Sequence, residues 1–154
     1  MAITLTRQGA KYLANNALGD HALRIDLYTD YDSGSTPDYE STDPSDFTNP
    51  TNAAMDGGYS YITVATSDWT VTTPASGGDN VYAYALDGGA SGDPYRFTFD
   101  GSAPQDEDAI KGFYVSSNWE GSYVVLWVES DGVDFQPSST FGDYIDITLK
   151  LEYT

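Results

Sequence analysis

One histidine, His21, and no cysteine are all that the chain offers toward nucleophile–base pairs or nitrogen and sulfur metal ligands. A hydrolytic triad needs a nucleophile, a base within hydrogen-bond reach and a group that orients the base. Serines are plentiful, but no Gly-x-Ser-x-Gly turn raises one above a sheet, and His21 would have to act as base unaided. Without thiolates there is neither a Cys-ligated metal nor a disulfide framework. Carboxylates are the remaining reactive class. Asp106-Glu107-Asp108, Glu129 with Asp131, and Asp143 with Asp146 put acids close together, as the acid and base of glycoside hydrolysis would require. With 24 Asp and Glu in 154 residues such pairs arise by chance, and most fall in turns where a carboxylate is simply hydrated. The reading is a non-enzymatic chain with no cofactor.

Two further constellations bear on binding. Asp30-Tyr31-Asp32-Ser33-Gly34 sets two acids two apart before a glycine, which makes Asp30 and Asp32 candidate Ca²⁺ ligands. The segment departs from a calcium loop of the EF-hand type in lacking both the third ligand and the twelfth-position Glu, and a solvated turn is the competing reading. Trp69, Trp119 and Trp127, with 13 tyrosines, supply rings on which a sugar could stack, the basis of an alternative reading as a carbohydrate-binding β-sandwich module. Trp127 lies in the most apolar run and Trp69 beside Val71, so both are expected in the core. Trp119, in the Asn-Trp-Glu-Gly turn, is the ring expected to be exposed.

Charge narrows the partners. The formal charge is −18, with Arg7, Lys11, Arg24, Arg96, Lys111 and Lys150 the whole cationic complement. Affinity for nucleic acid comes chiefly from Lys and Arg that neutralise phosphates, so direct DNA or RNA binding is not expected, and anionic membrane surfaces are disfavoured too. The opening MAITLTRQGAKYLANNALGD has no long apolar stretch after a basic start, and no run is long enough to span a bilayer. The expectation is a protein made in the cytosol and left unprocessed.

The elements that position these residues follow from periodicity. Ala10, Leu13, Ala14, Ala17 and Leu18 recur at helical spacing, with Thr4 or Thr6 to cap the start and Gly19 to end it, predicting one short N-terminal helix over 4–18. From Ala22 the period becomes two. Leu23, Ile25 and Leu27 alternate with Arg24, Asp26 and Tyr28, predicting a strand with one buried face. Residues 29–58 are polar, with Tyr31, Tyr39, Phe47 and Met55 as scattered anchors. So long a run inside one domain is expected to be ordered, touching a partner or folding over the β framework. Strands are predicted over 60–66, 68–73, 80–86, 94–100, 110–117, 122–129 and 144–153, separated by glycine turns such as Asp87-Gly88-Gly89. The 122–129 strand is apolar on both faces and is expected to be central. The fold class is thus mainly β: a single domain over 1–154, an antiparallel β-sandwich or jelly roll preceded by one short helix.

The order of these segments carries a resemblance. A short helix ending in Asn-Ala-Leu-Gly leads to LRIDLYTDYDSGSTP, then STDPSDFTNP, then GGYSYITVATSDWTVTT; later come YRFTFDG, IKGFYVSS, NWEGS, YVVLWVESDGV and GDYIDITLKLEYT. This succession resembles the small virion structural proteins of tailed bacteriophages, especially the capsid cement or decoration type. The resemblance runs in order through nearly the whole chain. It implies a non-enzymatic subunit on the capsid surface of the virion, a homotrimer that binds the major capsid protein and holds neighbouring copies together. Tail and neck subunits of such phages share small β domains and are the alternative within that class. Candidate contact residues are Ile3 and Leu5 near the N-terminus and Tyr31, Tyr39 and Phe47 in the polar excursion, since apolar side chains in polar, irregular segments need cover. That cover is either a partner or the domain itself.

Overall fold

A computed structural model describes Leu18 and residues 21–31, 37, 43–50, 59–72, 81–99, 110–119, 122–129 and 143–153. The predicted helix over 4–18 lies outside these residues apart from Leu18, which is helical and buried. The described chain is mainly β. Its strands in order are β1 (Leu23–Tyr28), β2 (Asp30–Tyr31), β3 (Phe47–Thr48), β4 (Ile62–Val64), β5 (Trp69–Thr72), β6 (Val81–Ala85), β7 (Tyr95–Thr98), β8 (Gly112–Trp119), β9 (Ser122–Val128), β10 (Tyr144–Ile147) and β11 (Leu149–Tyr153). They fall into two compact units. One comprises Met1–Ala22, Val64–Tyr95 and Ile147–Thr154, the other Leu23–Thr63 and Arg96–Asp146.

In the first unit β11, β6 and β5 form an antiparallel sheet. Its register aligns Trp69 with Ala85 and Leu149, and Thr70 with Tyr84 and Lys150. Side chains of a strand alternate between faces, so Ala83, Ala85 and Leu149 line a buried side while Lys150 is exposed. Beyond β6 the chain reverses through Gly88 and Gly89, at φ of 88° and 82°, where a side chain would be strained. Asp87 and Asp93 close this turn with two backbone hydrogen bonds.

The second unit is built on a four-stranded sheet, ordered β4-β1-β8-β9. β1 was predicted to have one wet face. Instead Asp26 is 0% and Tyr28 2% exposed, so both of its faces are buried. One face carries Leu23, Ile25 and Leu27, opposite Ser117, Val115 and Phe113. The other carries Arg24, Asp26 and Tyr28, opposite Ser116, Tyr114 and Gly112. This second face is covered by part of the polar excursion, where β2 and β3 pair and bring Phe47 onto Tyr28, Tyr114 and Val125. A 3-10 turn, Pro44–Asp46, precedes Phe47. Asp43 caps it by accepting from the Ser45 N–H at 2.9 Å, which lowers the Asp43 pKa, and Pro44 opens it where no N–H is needed.

Two further expectations are corrected. β9 is not central but lies at the edge of the described sheet, with a bulge opposite Val115/Ser116 and with Tyr123 and Leu126 substantially exposed. Its run of apolar residues suggested two buried faces, but apolar content alone does not place a strand within a sheet. The predicted strand over 144–153 divides at Thr148. β10 pairs with β7 and β11 with β6, so one alternating run serves two sheets. Trp69 and Trp127 are partly rather than fully buried, and the Trp119 side chain lies outside the described residues. Among the described residues no helix is long and apolar enough to cross a membrane.

Candidate functional site

Among the described residues of the second unit, a network of polar side chains centres on the buried Asp26. A strand places residues i and i+2 on one face, so Arg24 and Asp26 of β1 stand side by side. The guanidinium grips the carboxylate with two bonds, Nε to Oδ2 at 2.5 Å and Nη2 to Oδ1 at 2.9 Å. Tyr59 donates its hydroxyl proton to Oδ1 at 2.9 Å and accepts the Leu27 N–H at 3.0 Å. Asn49 sits above, its Nδ2 2.8 Å from the Leu27 carbonyl, 3.3 Å from the Tyr59 hydroxyl and 3.2 Å from the Tyr114 hydroxyl. Tyr114 projects from β8 directly opposite Asp26. Carboxylate, guanidinium, amide and two phenols thus form one connected network that pins residues 49 and 59 to the middle of β1.

The electrostatics follow from the geometry. Burial, the Asp26 charge and the hydrogen bond to it push the Tyr59 phenol well above the ordinary value of 10.0. Tyr114 is raised as well, by burial first, with Asp26 adding and the Asn49 bond subtracting. For Arg24, burial pulls downward, but the bonds and charge of Asp26 reverse it, so the guanidinium is held more firmly protonated. A buried carboxylate is tolerable only when its lone pairs are filled, and removal of one partner from such a pair costs about 3–5 kcal/mol. Chemically the network is closed. Both Asp26 oxygens are engaged and the residue has no exposed surface, so its chemistry is that of a clasp between segments rather than of a base open to substrate.

Above the clasp the same arginine reaches the surface. Its guanidinium carbon lies 4.0 Å from the Tyr61 ring centroid and 5.4 Å from that of Tyr123, and both rings are nearly half exposed. The arrangement is echoed where Arg96 binds Asp146 through two bonds of 2.7 and 2.8 Å and covers the Tyr144 ring at 3.8 Å. That guanidinium holds the Asp146 carboxyl below its ordinary range. In the first unit Asp68 plays a local clasp, accepting the Ala65 N–H and the Tyr95 hydroxyl, each at 3.0 Å. Burial and that bond to Asp68 raise the Tyr95 phenol.

The residues singled out from sequence fall as follows. Phe47 is buried and stacks on Tyr114, Tyr31 and Tyr28 at 4.5, 5.0 and 5.3 Å, so its cover comes from its own chain. Tyr31 is half-buried beside it. Ile3, Leu5 and Tyr39 lie outside the described residues. Of the calcium candidates, Asp32 lies outside them, and Asp30 pairs with Lys111 at 3.1 Å, which lowers its pKa. No group of three or more metal-ligating side chains occurs among the described residues. Of the carboxylate pairs, Asp146 is held by Arg96, while Asp106, Glu107, Asp108 and Asp131 lie outside. His21 is exposed. The clasp itself was missed, although Arg24-x-Asp26 between Leu23, Ile25 and Leu27 carried a signal: opposite charges two apart on one strand face can neutralise each other and be buried together. No protein-family model, curated protein or solved structure matches the chain.

Proposed function

We propose that this chain is a non-enzymatic structural protein of a tailed-phage particle, a capsid cement or decoration subunit that binds the major capsid protein on the virion surface. The observation that carries this reading is the closed Asp26 clasp. Arg24, Asp26, Asn49 and Tyr59 are engaged with one another and serve to fasten a covering segment to a sheet, which suits a domain that acts by adhesion. The ordered resemblance from LRIDLYTDYDSGSTP to GDYIDITLKLEYT points the same way. On this reading the sheets pack as a sandwich and three copies assemble at a local threefold position of the shell. A ligand that binds the assembled lattice but not its separated parts stabilises the lattice by RT ln(1 + [L]/Kd), about 2.7 kcal/mol at a hundredfold excess over Kd. Three feet on one trimer raise the effective concentration of each other's contacts.

The test is reconstitution. Particles lacking this protein should release DNA at a lower temperature than complete ones, and adding the purified trimer back should restore the difference. Equal stability with and without it, or a monomer that does not co-sediment with shells, rules the reading out.

A further inference from the structure

β9 has the composition of a core strand and the surroundings of a surface one. Its sequence SYVVLWV is apolar at six of seven positions, yet of these only Val125 is buried. Tyr123 and Leu126 are 46% and 42% exposed, and Val124, Trp127 and Val128 are partly so. Leu126 contributes least to the fold. Ser116 faces Val125 and the adjacent Val115 faces Trp127, so Leu126 is the inserted residue of the bulge and has no partner on β8. A bulge re-aims side chains, and this one leaves a leucine in solvent. So many apolar side chains along the edge of the described sheet mark a surface that another chain covers.

We propose that β9 is the surface through which three copies of this chain meet, with Leu126 of each copy packed against β9 of the next around a threefold axis. The occupant follows from charge. Copies of net charge −18 repel one another wherever acidic surfaces face, so they can close only through a region without ionised groups. β8 and β9 form such a region: neither Gly112–Trp119 nor Ser122–Val128 contains an Asp, Glu, Lys or Arg, and charge resumes only at the flanking Lys111, Glu120 and Glu129. A cationic partner would be drawn to carboxylates, and these strands have none. The inference rests on the trimer of the proposed function and names its interface. In a closed ring every copy gives and receives the same contact, so one substitution acts three times.

The test is the oligomeric state of the full chain, read by sedimentation equilibrium over a range of concentrations. The natural protein should be a trimer, and Leu126→Asp and Leu126→Lys should each dissociate it. Loss of a buried leucine weakens a contact about tenfold, so over three contacts the trimer constant should shift about a thousandfold. Leu126→Lys lowers the net charge of each copy, so its dissociation separates lost apolar contact from added repulsion. Leu126→Met, which keeps the bulk, should remain trimeric, as should Tyr144→Ser at another exposed ring. Leu126 is exposed in the single chain, so the far-ultraviolet dichroism of its variants should be unchanged. Raising NaCl from about 0.05 M to about 1 M should favour the trimer by screening repulsion between like-charged copies. A natural monomer or dimer, a trimer that survives both charged substitutions, equal dissociation by Tyr144→Ser, or a trimer that salt disperses would overturn the proposal. Failure of the capsid reading looks different: a trimer that Leu126→Asp takes apart, but whose addition leaves the stability of shells unchanged.

Discussion

Replacing Tyr59 by Phe removes one oxygen from the centre of the clasp and leaves the ring in place. That oxygen donates to Asp26 at 2.9 Å and accepts from the Leu27 N–H at 3.0 Å. A hydrogen bond to a charged group contributes about 1.5–3 kcal/mol, and a buried N–H left unpaired costs roughly another 1–3 kcal/mol. Asn49, 3.3 Å from the lost oxygen, can turn to recover part of this. The net loss should be about 3 kcal/mol, which for a chain of this size lowers the unfolding midpoint by roughly 6–12 °C. Urea unfolding followed by circular dichroism should show the midpoint fall with the slope unchanged, since the surface exposed is the same. Tyr123→Phe is the control, because Tyr123 is nearly half exposed, and it should stay within about 0.5 kcal/mol of the natural protein. In an Asp26→Asn background, Tyr59→Phe should cost at least about 1 kcal/mol less than it does alone, the coupling expected of groups in direct contact. A Tyr59→Phe loss no larger than that of Tyr123→Phe would refute the clasp.

Gly112→Ala should destabilise by about 3 kcal/mol or more, because its Cβ would stand 2.5 Å from the Glu129 carbonyl oxygen and 2.9 Å from the Tyr28 ring, in a tightly packed sheet; calorimetry reads this directly. Alkaline pH should unfold the protein through its buried phenols. Tyr59 and Tyr95 are raised above 10.0 in the fold, so their contribution is complete below pH 10 and is lost as pH climbs toward their folded values. Each should remove about 1.4 kcal/mol per pH unit over that window. Part of the tyrosinate absorbance should therefore appear only together with the loss of the dichroism signal.

Much of the fold was legible in the sequence. Period-two alternation located β1 and the run that holds β10 and β11, because a pleated chain must send successive side chains to opposite faces, and turn residues bracketed the other longer strands to within a few residues. Gly88-Gly89 announced a reversal, since positive φ is tolerated there at no steric cost. The absence of thiols and the single imidazole narrowed the chemistry, and the charge of −18 set the expectation against polyanionic partners. Sequence alone did not reveal which strands are neighbours. The apolar run of β9 suggested a central strand, but its position at the edge depends on pairing with β8 and on what lies beyond. Nor did it reveal the clasp. Asp26 looked like a wet-face residue of an alternating strand, and only long-range packing brings Asn49, Tyr59 and Tyr114 over it from separate segments. A carboxylate is hydrated by default; it becomes a fastening point only when tertiary structure supplies enough donors to replace the water it gives up.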